Sequence, residues 1–195
     1  DGVPFYIKNP DGTFTYATNG WDVFRTNSAF YNTFAGNDKR KTELIVSSVY
    51  NSSGALAGSV GGKFMYPFTR KYVDPKFVGE KSSARPYLIR FSEVALIYAE
   101  AVGPTEQGYY WVNQIRNRAG LSDLNPALNK DEFRDALIQE RAWEFAYEGQ
   151  RLYDLRRKAI VTQKDPKAIA AGITEAQAAF YPIPQMEIDL NSNLQ

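Results

Sequence analysis

The chain has 195 residues, enough to bury a core, and it balances 23 basic against 22 acidic side chains, so no uniform field marks it for nucleic acid or an anionic membrane surface. It has neither cysteine nor histidine, which removes disulfides, thiol nucleophiles, thiolate and imidazole metal sites and Ser-His-Asp catalysis; carboxylates, Tyr, Lys and Arg are left for acid–base work. An aromatic content of 14%, mostly Tyr and Phe, favours binding over chemistry.

The opening DGVPFYIKNPDGTF shows no basic or apolar leader region, so no secretory signal is read there, and no run of about 18 apolar residues is present to span a bilayer. Residues 1–83 read as a loop-rich lobe of turns and short strands, with one short helix around Ser28 to Phe34. Nine of the fourteen glycines fall in this part, and Asp11-Gly12 and Asn19-Gly20 are turn signals with aromatics between them. Loops this long are functional or disordered, and the aromatics argue against disorder.

Residues 84–195 have a helical texture. Leu88, Phe91, Ala95, Tyr98 and Val102 recur at steps of three and four, predicting a helix with Pro86 in its first turn and Gly103-Pro104 as its stop. Val112, Ile115 and Ala119 predict a second helix ending at Gly120. Asn129 with Glu132 fits a capping box, so a third helix starts near Lys130 and runs to about Lys158, bending or breaking at Gly149. A short helix capped by Thr174 and Gln177 follows, then an extended, proline-containing tail.

The third segment, QERAWEFAYEGQRLYDLRRKA, mixes charges and aromatics. Ile138, Ala142, Phe145, Gly149 and Leu152 form an apolar stripe, with Trp143 and Tyr147 on an adjoining face. Glu140, Glu144 and Glu148 lie one turn apart and repel unless cations intervene; Arg141 and Arg151, with Arg90, Arg116 or Arg118, are the expected donors. An ion-pair lattice of Glu140, Arg141, Glu148, Arg151 and Asp154 that fixes helix packing is the expected role. A glycosidase-like acid and base pair is the weaker alternative, since nothing singles out two carboxylates facing a cleft.

Four ordered stretches, RPYLIRFSEVALIYAEA, VNQIRNRAGL, IQERAWEFAYEGQRLYDLRR and FYPIPQMEIDLNSNL, resemble the C-terminal half of the SusD/RagB family of outer-membrane nutrient-binding lipoproteins. The matching positions are Arg90 to Ala101, Asn113 to Leu121, Glu140 to Leu155 and Pro182 to Glu187, and NDKRK (Asn37 to Lys41) resembles the family's Asp-x-Arg. The resemblance implies a mainly α fold of tetratricopeptide-like helix pairs with a loop-rich N-terminal lobe. It implies a non-catalytic component, without cofactor or metal, that binds glycans, or sometimes peptides, and works with a TonB-dependent outer-membrane transporter. It also implies an outward-facing position at the outer membrane, lipid-anchored through an N-terminal part that this sequence does not contain.

Neutral glycans are held by aromatic faces and a few polar side chains. The stretch YATNGWDVFR offers both, so Tyr16, Asn19, Trp21, Asp22 and Arg25 are the candidate ligand residues. Tyr66 and Phe68 are expected to pack against helices, and Trp111 and Trp143 to lie in core or interface. A helical interaction module whose only ligand is a protein is the competing function.

Overall fold

The computed structural model describes residues 5–17, 25–62, 66–74, 76–78, 81–191 and 193. The fold is mainly α, and the chain forms two compact units, Asp1–Glu148 and Gly149–Gln195. The texture change read at residue 84 falls between the last strand, which ends at Thr69, and the first long helix, which begins at Phe91; the compact units divide at residue 149.

In the first unit, β1 (Phe5–Lys8) and β2 (Phe14–Ala17) form an antiparallel hairpin with Tyr6 opposite Tyr16 and Lys8 opposite Phe14. Asp11 shapes its turn by accepting from the Thr13 amide at 2.9 Å, and Gly12 supplies a φ of 85°. Two short helices follow, α1 (Ser28–Asn32), capped by Asn27, and α2 (Lys39–Leu44), capped by Asp38. The chain then forms β3 (Ile45–Val46), β4 (Ser48–Tyr50), β5 (Leu56–Ser59) and β6 (Phe68–Thr69). One sheet has the order β2-β1-β4-β5, and β3 pairs with β6. Strand alternation sends Ile7 and Val49 into a small core with Val46, against which Phe68 packs. Phe68 is thus a strand residue that packs against this strand core.

The helical core is built by α3 (Phe91–Val102), α4 (Glu106–Arg118) and α5 (Lys130–Glu144), around Leu96, Val112, Phe133 and Leu137. Fully burying each of these contributes roughly 1.5–3 kcal/mol. On α4 the predicted stripe holds, and the Asn129–Glu132 capping box opens α5. Two predictions for α3 need correcting. It starts at Phe91, so Pro86 lies outside it, and the buried face is Ser92, Ala95, Leu96 and Ala99, while Leu88, Phe91 and Tyr98 are exposed. Small residues face inward because α3 and α4, joined by residues 103–105, approach closely. A Cβ built on Gly108 would lie 2.0 Å from the Gly103 carbonyl oxygen.

The third predicted helix is broken before Gly149, the break being one of the two outcomes expected there, and does not run on unbroken to Lys158. It ends at Glu144, Tyr147 and Gly149 take left-handed φ values of 68° and 80°, and α6 (Arg151–Arg157) begins afresh in the second unit. Of its predicted stripe, Ile138, Ala142 and Phe145 are buried and Gly149 is exposed. The second unit continues with α7 (Val161–Lys164), α8 (Pro166–Ala171), α9 (Glu175–Ala179) and α10 (Gln185–Leu190) around Leu155, Val161, Ala168 and Ala178. The Thr174–Gln177 box caps α9, and the tail expected to be extended contains the α10 turns. No helix among the described residues is long and apolar enough to cross a membrane.

Candidate functional site

Two clusters could carry function, and their geometry separates them. The first is the ionic cluster at the end of α5. Arg40 forks onto Asp38, with Nε donating to Oδ1 at 2.9 Å and Nη2 to Oδ2 at 2.8 Å, while its Nη1 donates to Glu140 Oε1 at 2.6 Å. Arg116 Nη1 takes the other Glu140 oxygen at 2.9 Å. Glu144 is held by Arg90 and Arg118, both at 2.5 Å. Arg90 also grips Glu148 with two donors, at 2.8 and 2.9 Å, and Lys71 reaches Glu148 at 2.6 Å. Lys71 and Arg90 both donate to the Glu144 backbone carbonyl, placing two cations at the negative end of the α5 dipole.

Burial alone would raise the Glu144 carboxyl; the guanidinium groups of Arg118 and Arg90 outweigh it and hold the pKa at about 2. Burial would lower the Arg40 pKa, and Asp38 and Glu140 outweigh it in the other direction. Glu144 therefore stays ionised near neutrality and cannot serve as a general acid there. Among the described residues, no group of carboxylates is arranged to hold a metal ion. These ion pairs connect α2, the α3 entry, α4 and α5.

The expected members of this cluster fall in two places. Glu140 and Glu148 lie within it, and Arg141 stacks over the Phe145 ring at 4.9 Å. Arg151 and Asp154 belong to the second unit, where Arg157 Nη2 reaches Asp154 at 2.9 Å; burial lowers the Arg151 pKa against the pull of Asp154 and Asp165. The cations on the glutamates of this cluster include Arg90, Arg116 and Arg118, as expected, together with Arg40 and Lys71. Asp38 and Arg40 carry the Asp-x-Arg motif already visible in the sequence, whereas Lys71 gave no local signal.

The second cluster is the outer face of the four-stranded sheet. Because Ile7 and Val49 point inward, the alternate residues Tyr6, Phe14, Tyr16, Tyr50 and Leu56 share the other side. Tyr6 meets Tyr16 edge-to-face at 5.5 Å, and Phe14 meets Tyr50 at 5.4 Å. Phe14 is 40% and Tyr16 49% exposed. Gly54, in the β4–β5 turn, leaves room for the Phe14 ring beside it; a Cβ there would be 3.3 Å from the ring. None of the Tyr6, Tyr16 or Tyr50 hydroxyls has a hydrogen-bond partner among the described residues. The face thus joins apolar ring surface to three available hydroxyls.

Of the residues predicted to bind ligand, Tyr16 lies on this face and Arg25 lies over the Tyr66 ring at 5.6 Å. Asn19, Trp21 and Asp22 lie outside the described residues. Tyr6, Phe14 and Tyr50 were missed. The alternation in FYIK and FTYA was the available signal for the first two, but Tyr50 joins them only through sheet register. Trp111 is half-buried beside the helical core, and Trp143 is half-buried, donating from Nε1 to Thr33 Oγ1 at 3.0 Å.

The model of the SusD family matches residues 13–195. The chain is 27% identical to the SusD-like protein P2 of Formosa agariphila, over 94% of this chain and 41% of that protein. It therefore spans about two fifths of the length of that curated relative. Among solved structures, it is similar to a laminarin-binding SusD-like protein, with a TM-score of 0.66, 24% identity, and 88% of this chain and 37% of the other covered. Surface glycan-binding protein A from Bacteroides thetaiotaomicron, in complex with laminarihexaose, gives a TM-score of 0.65 at 24% identity, with 96% and 44% covered.

Proposed function

Since the chain belongs to the SusD family, we propose that it is a non-catalytic, glycan-binding part of a nutrient-capture protein at the outer membrane. The observation that carries this reading is the row of Tyr16, Tyr6, Tyr50 and Phe14, half-buried or exposed, with its hydroxyls available. Sugar rings present C–H faces and hydroxyls together, and such a row complements both. Trp21, Asn19 and Asp22 follow β2 directly in sequence and belong to the same proposed site, together with Arg25. The laminarin and laminarihexaose ligands of the two similar structures agree with a glycan as ligand class. Lipid anchoring and delivery to a TonB-dependent transporter complete the proposal, on the family resemblance alone.

A second reading, a helical module that binds only a partner protein, draws on the exposed apolar residues Leu88, Ile89, Phe91, Val94 and Ile97. Native electrophoresis through gels containing laminarin and other polysaccharides separates the two. Glycan binding predicts retardation of the chain by at least one polysaccharide, lost in Trp21→Ala and in Tyr16→Ala with helical circular dichroism unchanged. Absence of retardation across the panel favours the protein-only module.

A further inference from the structure

The sheet opens next to the aromatic row. β1 and β4 pair only where Tyr6 lies opposite Tyr50. Past that pair, Lys8, Asn9, Ser48, Tyr50, Glu43 and Arg70 are among the residues that line an open cleft of about 340 Å³. Arg70 is half-buried, and its Nη2 donates to Asn9 Oδ1 at 2.6 Å. Asn9 is itself fixed, its Nδ2 donating to Thr13 Oγ1 at 2.8 Å and Thr15 Oγ1 at 3.0 Å. The guanidinium is thus oriented before any ligand arrives, and its remaining N–H groups have no partner among the described residues.

This arrangement contrasts with the helical part of the unit, where Arg40, Arg90, Arg116 and Arg118 each meet a carboxylate. Neither Lys8 nor Arg70 forms an ion pair among the described residues. Glu43 is the acidic residue of the lining, so two cations outnumber one carboxylate there. Lys8 stands on the aromatic side of β1 opposite Phe14, and Tyr50 borders both the row and the cleft.

We propose that this cleft receives the anionic substituent, carboxylate or sulfate, of an acidic glycan whose sugar rings lie on the aromatic face. A fixed guanidinium with free parallel donors matches either planar carboxylate or sulfate oxygens, and a flexible lysine adds a second charge. The inference rests on the glycan reading above and names the class of glycan.

The test is calorimetric titration of three oligosaccharides of similar length: neutral laminarihexaose, an oligouronate and a sulfated oligosaccharide. Wild-type protein should bind at least one acidic oligomer more tightly than laminarihexaose, with affinity falling as salt rises. Arg70→Gln and Lys8→Gln should each weaken the acidic oligomer about ten-fold while leaving laminarihexaose binding unchanged. Which acidic oligomer responds distinguishes carboxylate from sulfate. Binding of laminarihexaose with no preference for either acidic oligomer overturns the inference alone, as does unchanged acidic affinity in both variants; Lys8 is exposed, so its variant tests the charge without disturbing the fold. No binding of any of the three removes the glycan reading and this inference together.

Discussion

Arg40 shows how a buried charge can be structural. It is 5% exposed and answers Asp38, Glu140 and Glu144 at once, so removing it leaves three acidic groups without their shared cation. Arg40→Met is expected to destabilise the chain by roughly 3–5 kcal/mol, read as a lower denaturant midpoint. A loss below about 1 kcal/mol would mean that the network is ornamental. Glycines act through backbone shape instead. Gly149 has φ 80° with open space around its Cβ position, so Gly149→Ala meets strain without a clash and should cost roughly 1 kcal/mol. Gly108→Ala meets the Gly103 carbonyl and the Phe133 ring as well, and should cost at least about 2 kcal/mol. Thermal melts of the two variants should rank them in that order.

At the scale of elements, the parts legible in the sequence were those encoded by neighbours. The capping boxes at Asn129 and Thr174 and the α4 stripe depend on residues three and four apart, and they appear where expected. The α3 face was read only in part. Ala95 is buried as expected and Leu96 was passed over; Ser92 and Ala99 carry little apolar signal, while Phe91 and Tyr98 carry much and stay outside. The end of α5 was hidden for a different reason. A tyrosine at φ 68° is not readable from its type, and the cations on the Glu144 carbonyl come from residues 71 and 90. The same limit applies to the aromatic face. Tyr16 was visible in a turn-flanked aromatic stretch and alternation marked Tyr6, but Tyr50 joins them only through strand register.

For the molecule as a whole, the ionic cluster contributes to the response to acid. Glu144 has a folded pKa of about 2 against an ordinary value of 4.5. A depressed carboxylate stabilises the fold above its unfolded pKa, and this contribution is lost as pH falls from about 4.5 towards 2. The shift corresponds to stability on the order of 3 kcal/mol. Denaturant unfolding followed between pH 6 and pH 2 should therefore show a steep decline below about pH 4.5, and Glu144→Gln should flatten it. A profile equally steep in that variant would place the acid sensitivity elsewhere.

The proposed division of roles is that charges lock the helices while the aromatic side of the sheet captures ligand. One comparison separates these roles directly, the affinity of a retained oligosaccharide for wild-type, Tyr16→Ala and Arg118→Ala proteins alongside their melting temperatures. Arg118 is 56% exposed and holds Glu144 from the rim of the ionic cluster, so it can be removed without emptying the core. On this division of roles, Tyr16→Ala loses roughly ten-fold in affinity at an unchanged melting temperature, and Arg118→Ala melts earlier at an unchanged affinity. Lost affinity in Arg118→Ala with full affinity in Tyr16→Ala would contradict it.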